Sequence, residues 1–333
     1  MRFAIRYSAM NASEPVLNKL DELLSRVEDE IHELEITDAD LLEGSAWYLS
    51  CRPIRRAMLE KTAQTTLYRT PRTSGPHMRR VEVADQPTAD SAQALAYTPL
   101  HLIVENFSSD GALIRFALDL FATPEVRELC LGSGARRTPP AFRIESPGGH
   151  GEMPKLLNKR IDEAAVRGIR PRVLVVTDSD GEWVGDVKPH AQELRNKCAA
   201  AGVPCPPLNK RTAENYIPDN VWRAWAAEPQ HAKTKTAIEA LLRLSAVQRD
   251  HVNIGPGNTD PWDSSKPQAC ALFTGVSLAD RALLKSATLK GRRSTAISYI
   301  LDNYRFASNR ADLLTRDNHG DLETVAQHIK DEL

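Results

Sequence analysis

One stretch of this chain constrains its fold more than any other: VLVVTDSDGE, from Val173 to Glu182. Four apolar residues, three of them valine, follow Gly168 and Pro171, the pattern of a strand covered on both faces as in a parallel sheet. The run ends in Thr177 and then in Asp178 and Asp180. Residues two apart on an extended backbone point to the same side, and Gly181 then lets the chain turn. Two carboxylates held this close repel unless a proton or a cation lies between them.

The pattern around that strand alternates. HLIVE, beginning at His101, reads as a short strand. SSDGALIRFALDLF follows as a helix, with Ser108 or Ser109 as cap and Leu113, Ile114, Ala117, Leu118 and Phe121 on one side. FRIES, Phe142 to Ser146, is a weaker strand leading into the loop PGGHG and a helix near Glu152 to Val166. After VLVVTDSDG a helix carries Val187, Ala191, Leu194 and Cys198, and VPCPPL reads as a fourth strand. Alternation of this kind predicts an α/β fold, a mostly parallel sheet flanked by helices over residues 98–225.

Residues 1–97 read as a separate α/β or helical region for regulation or recruitment. From Ser13, apolar residues recur with helical period at Val16, Leu20, Leu23, Leu24, Val27, Ile31 and Leu34. Charge then segregates: residues 21–43 carry ten acids and only Arg26, while residues 52–80 carry eight basic residues and only Glu60. Such blocks either pair with each other or face a partner, and Arg52, Arg55 and Arg56 are the natural contact set. Residues 70–95, with Pro71, Gly75, Pro76 and Pro87, read as a linker or domain edge. Residues 226–333 read as mainly helical, with helices near Ile238–Val247, Ser277–Lys290, Ser294–Tyr304 and Asp321–Glu332, interrupted by NIGPGNTDPWDSSKP.

With 43 basic and 44 acidic residues, the net charge of −1 gives no global attraction to nucleic acid. Any such binding needs a local patch, and Arg281, Lys285, Lys290, Arg292 and Arg293 form one. Five scattered cysteines without a CxxC pair argue against zinc–thiolate chemistry and for a reducing compartment. No apolar run approaches the ~20 residues of a membrane span, and the start lacks a signal-peptide core, so a cytoplasmic protein with no membrane partner is expected. The terminal KDEL is then simply the charged end of a helix.

In a parallel sheet the carboxyl ends of the strands line one crevice. Glu105 ends the first strand, Asp178 and Asp180 end the third, and the second leads into Gly148 and Gly149. Three converging carboxylates suit a hard cation, Mg²⁺ or Mn²⁺. His150, next to the glycines, reaches the same crevice as a proton donor, whereas Trp222, Trp225 and Tyr216 at helical spacing read as core.

The order Glu105, Gly148-Gly149, Asp178-x-Asp180 resembles the TOPRIM domain, the metal-binding module of topoisomerases, bacterial primases and the OLD-family nucleases. LNKRTAENYIPDNVW resembles the segment that follows it in OLD-like nucleases of phage-defence systems. The resemblance implies a metal-dependent nuclease in which Glu105, Asp178, Asp180 and Glu214 hold Mg²⁺ or Mn²⁺. Glu105, Asp178 and Asp180 would be catalytic, joined by Lys210 and Arg211 as fixed cations, with Gly148, Gly149 and His150 beside the substrate. It implies nucleic acid as partner (DNA or RNA, tRNA included), with a controlling ATPase and self-association as further partners. Asn106 stands where the family commonly has glycine after the first glutamate, and Asp110 lies one residue late for the helix-start acid, which weakens a role for it. The insertion LGSGARRTPP carries no phosphate-loop lysine. Two other readings remain open: a haloacid-dehalogenase-like phosphohydrolase with Asp178 as nucleophile, and a non-catalytic scaffold with a degenerate site.

Overall fold

The computed structural model describes residues 1–68, 79–253, 266–286 and 295–333. Lys290, Arg292 and Arg293 of the late basic cluster, most of NIGPGNTDPWDSSKP, and Pro71, Gly75 and Pro76 lie outside the described residues. The described part is a mixed α/β structure with two small parallel sheets and many helices.

The first sheet is built from strands of only four residues, β1 (Arg2–Ile5), β2 (Glu33–Ile36) and β3 (Arg80–Val83), in the order β2-β1-β3. Both pairings are parallel, so each connection must cross over, and helices Glu14–Glu28 and Pro53–Tyr68 make the crossings. Phe3, Ile5, Leu20, Leu24, Ile36, Trp47, Leu59 and Val83 form its core. Residues 80–96 are therefore not a linker. They form β3 and helix Gln86–Ala96, whose start is fixed by Asp85 accepting from the Thr88 amide.

The segregated charges meet within this region. Arg55 lies 3.2 Å from Glu28 and 3.7 Å from Asp21, and Arg80 lies 3.0 Å from Glu35. Arg56 donates to the Tyr48 carbonyl at 3.0 Å and covers the Tyr48 ring. Half-exposed pairs of this kind contribute about 0–1 kcal/mol each, so they neutralise the two blocks without anchoring the fold.

The second sheet is β4 (Leu100–Ile103), β5 (Phe142–Glu145) and β6 (Val173–Val175), all parallel, in the order β5-β4-β6. Helix Asp110–Phe121 lies on the crossing from β4 to β5, and helix Met153–Val166 on that from β5 to β6. VPCPPL is not a strand. Pro204, Pro206 and Pro207 have no N–H to give to a ladder, and only a single bridge between Thr177 and Pro207 marks the place.

Residue 225 is not a boundary in the core. One apolar cluster joins Leu102, Phe116 and Leu118 to Trp222, Trp225, Ile300, Leu301, Val325 and Ile329. Trp222 and Trp225 stand edge to face with ring centroids 6.0 Å apart, inside this cluster. Among the described residues no helix is long and apolar enough to cross a membrane.

Polar contacts join the two sheets: Arg26 donates to the Pro139 carbonyl at 3.1 Å, and Arg172, before β6, donates to the Leu95 carbonyl at 3.2 Å. Within the first region His32 places Nε2 3.2 Å from the Ala96 carbonyl and meets Phe3 edge-on. Burial, reinforced by the nearby Arg172 charge, holds the His32 imidazole well below its ordinary value of 6.5. Unfolded chain therefore takes up a proton near pH 6.5 while folded chain does not. Stability is full above that value and falls as pH drops below it, by at most about 1.4 kcal/mol per pH unit for one proton. We expect His32→Gln to flatten the decline in urea midpoint between pH 6.5 and 5; an unchanged slope would place the acid sensitivity elsewhere.

Candidate metal centre

The register that sets Ile103 beside Val175 makes β4 and β6 run out at the same edge of the sheet. One carries the chain to Glu105, the other to Asp178. Ser146 at the end of β5 donates its hydroxyl to the Glu105 carbonyl at 2.6 Å. Asp110, at the start of its helix, accepts from the Asn106 amide at 2.9 Å and from the Ser109 hydroxyl at 2.9 Å. These bonds close the turn after β4 on both Asp110 carboxylate oxygens.

Asp178 is the electrostatic centre. Burial pushes its carboxyl well above the usual range, and Asp110, Glu214, Asp180 and Glu105 push it further in the same direction. Burial also raises Asp110 to about 6, with Glu105 and Glu214 adding to the shift. Of the expected ligands, Glu105, Asp180 and Glu214 thus act electrostatically on Asp178, and so does Asp110, which the departure from family spacing counts against. Among the described residues the donor atoms that lie within 4.8 Å of one another are those of His150, Asp180 and His190. Glu214 arrives on the short turn Ala213–Tyr216, where the Ala213 amide donates to Asp178 at 3.2 Å.

The Asp178–Glu182 loop is held from several sides. Asp180 has φ +51°, a left-handed backbone that costs a non-glycine residue about 1–2 kcal/mol. Its amide donates to the Arg211 carbonyl at 3.1 Å. The Ser179 hydroxyl donates to the Lys210 carbonyl at 2.9 Å and accepts from the Gly181 amide at 3.0 Å. A β-carbon on Gly181 would lie 2.1 Å from the Asp186 carbonyl oxygen, so only glycine fits. Across the crevice Gly148 has φ +88°, and a β-carbon there would meet nothing within 4 Å. The Gly148-Gly149 turn therefore leaves open space next to the acids.

Lys210 does not face the carboxylate cluster. Its side chain is fully buried, and its ammonium pairs with Asp250 and donates to Asn318 at 3.0 Å. Arg316 reaches the same Asp250 oxygen at 2.6 Å. The role of fixed cation expected for Lys210 is thus replaced by a structural one: its backbone carbonyl holds Ser179 and its charge is spent on Asp250. Arg211 differs. It donates to the His251 carbonyl at 3.3 Å, and the acids that act on it are Glu182, Asp180 and Asp186, so its charge faces the Asp180 side.

Two histidines complete the crevice. His150 Nδ1 lies 3.3 Å from Glu105 Oε2, and His190 Nε2 lies 3.0 Å from Asp180 Oδ2. Their rings meet with centroids 4.0 Å apart. His190, in the first turn of helix Pro189–Ala200, has no place in the sequence reading. The signal available was a histidine at a helix start ten residues past Asp180, a weak one.

Burial and four neighbouring acids drive the Asp178 carboxyl toward its neutral form, the electrostatic setting that a cation would relieve.

Asp250 neutralises two buried cations, so its loss leaves both uncompensated. We expect Asp250→Ala to destabilise the fold by about 3–5 kcal/mol. Lys210→Met should cost less, because the Arg316–Asp250 pair survives. Chemical denaturation of both variants checks the order, and the reverse order would mean that Lys210, not Asp250, is the anchor of this buried pair.

No protein-family model matches the chain, and neither a curated protein nor a solved structure does.

Proposed function

We propose that the chain is a Mg²⁺- or Mn²⁺-dependent phosphodiesterase of nucleic acid, with a TOPRIM-like catalytic half. The observation that supports this reading is the burial of Asp178 at the carboxyl end of a parallel strand, where Asp110, Glu214, Asp180 and Glu105 all push its carboxyl up. Glu105, Asp178 and Asp180 would hold the cation, and Asp110 and Glu214 complete the oxygen set. When bound, such an ion neutralises charge on a phosphodiester and lowers the pKa of attacking water. The chain's own groups do the rest. Gly148 and Gly149 leave space for a sugar-phosphate backbone, His150 stands within reach of Glu105 for proton transfer, and Arg211 supplies a fixed charge on the Asp180 side. The likeness of LNKRTAENYIPDNVW to phage-defence nucleases makes an ATPase-controlled antiviral effector in the cytoplasm the best-supported setting.

Incubation of the purified chain with plasmid DNA and total RNA should give cleavage in Mg²⁺ or Mn²⁺ and none in EDTA. Asp178→Asn should lower the rate about 100-fold or more, beyond the 10–100-fold cost of an outer-sphere change. Cation-independent cleavage would remove this reading. A phosphorylated Asp178 after incubation with a phosphomonoester would instead favour the phosphohydrolase.

The same carboxylates predict an effect on stability without any substrate. Asp178→Asn relieves repulsion in a crowded site while keeping an acceptor for the Ala213 amide. Its metal-free melting temperature should rise by about 2 °C or more per kcal/mol relieved. The rise that Mg²⁺ gives the parent protein should be lost. A melting temperature below that of the metal-free parent would mean the five acids do not repel as described.

A further inference from the structure

We propose that His150, Asp180 and His190 form a second cation position, selective for a late first-row divalent metal over Mg²⁺. It rests on the phosphodiesterase reading for what the ion would face, though not for its binding.

The three side chains offer one donor atom each, all within 4.8 Å of one another. Small rotations bring donors at that spacing to the ~2.0–2.2 Å bonds of nitrogen and carboxylate ligands. The chemistry of the set differs from that of the neighbouring acids. Imidazole nitrogen suits Co²⁺, Ni²⁺ or Zn²⁺, whereas Mg²⁺ prefers oxygen throughout.

His150 is already oriented for this work. With the Nδ1 proton directed at Glu105 Oε2, 3.3 Å away, the lone pair is left on Nε2. That atom is buried and has no hydrogen-bond partner. An unsatisfied polar atom out of water costs about 1–3 kcal/mol, and a metal bond would satisfy it. A carboxylate that holds the far nitrogen of an imidazole is the usual outer support of a metal-bound histidine. Glu105 would thereby serve both positions, one oxygen toward His150 and its charge toward Asp178.

His190 provides the opposite wall. Its side chain is 47% exposed, against 16% for His150. One side of the position therefore faces solvent and leaves room for a water or a substrate oxygen. Metal entry would replace the His190–Asp180 hydrogen bond, the ring proton passing to Nδ1. Cysteine takes no part, so the absence of CxxC pairs does not count against a nitrogen-and-oxygen site.

Titration of the full chain with Co²⁺, followed by visible absorption and calorimetry, tests the assignment. Expected are a cobalt absorption band and a Co²⁺ affinity that falls at least about 10-fold in His150→Ala and in His190→Asn. Asp178→Asn should keep the band. Mg²⁺ binding should show the opposite pattern, retained in the histidine variants and weakened in Asp178→Asn. His190→Asn alters a half-exposed side chain, and an unchanged melting temperature in either histidine variant confirms its fold. Co²⁺ binding that ignores both histidines, or that is lost with Asp178 alone, overturns the second position. If His-dependent Co²⁺ binding persists in a chain that cleaves no nucleic acid, the position stands and the phosphodiesterase reading falls. Cleavage with His-independent Co²⁺ binding gives the converse.

Discussion

Mutual repulsion among the carboxylates at the sheet edge is the constraint on which the second half of this molecule depends. Two unit charges 4 Å apart in surroundings of intermediate dielectric repel by about 4 kcal/mol, a large part of the 5–15 kcal/mol that holds a domain together. Partial neutralisation of Asp178 and Asp110 relieves some of this. The remainder must be offset by backbone that has no alternative conformation. The Asp178–Glu182 loop has that character. It combines a left-handed Asp180, a glycine that tolerates no β-carbon, and hydrogen bonds to the carbonyls of Lys210 and Arg211. Strain of this sort persists only where the surroundings over-determine it.

Those surroundings come from far along the chain. Asp321 opens the last helix and accepts from the Asn209 amide at 2.8 Å and from the Tyr216 hydroxyl at 2.5 Å. Asn318 and Asp250 hold the Lys210 side chain, and Arg316 holds the same Asp250 oxygen. The segment 209–216 is thus clamped from below by the tail while its carbonyls clamp the aspartate loop above. The tail is part of the scaffold of the crevice, and any role it has in contacting a partner is additional to that.

Legibility in the sequence followed the range of the interactions involved. Val173–Gly181 could be read directly, because a valine run, a strand end and a glycine turn are all local signals. Glu105 could be read because HLIVE ends there. Asp110 was undervalued, since its place depends on the turn closed by Asn106 and Ser109 rather than on spacing alone. Lys210 reads from sequence as a fixed cation for the phosphate: the sequence shows that a lysine is present, but only the fold brings Asp250 to it. The N-terminal sheet left a faint trace because RFAI, ELEI and RVEV are four residues each, too short for a period-two pattern to stand out from helical flanks. The fourth strand expected at VPCPPL failed on its prolines, a local signal that was present and outweighed by the expectation of alternation.

One consequence of the valine run bears on how accurately the site is placed. All three residues of β6 are buried, so the strand shows no alternation of inward and outward side chains. Alternation is what normally fixes register, since a one-residue slip would expose the core face. Here a slip would expose nothing apolar, yet it would put Ser179 where Asp178 belongs. The register must therefore be set at the ends. At the start, the Arg172 guanidinium donates to the carbonyls of Leu95, Thr98 and Glu332, and the Arg172 carbonyl accepts from His101. At the finish, Asp178 accepts from Ala213 and Ser179 donates to Lys210. A strand pinned by polar contacts at both ends and left smooth between them delivers its carboxylate to one place. The contacts that do so come from the N-terminal region, the segment 210–213 and the final helix, so the position of Asp178 is a property of the whole chain.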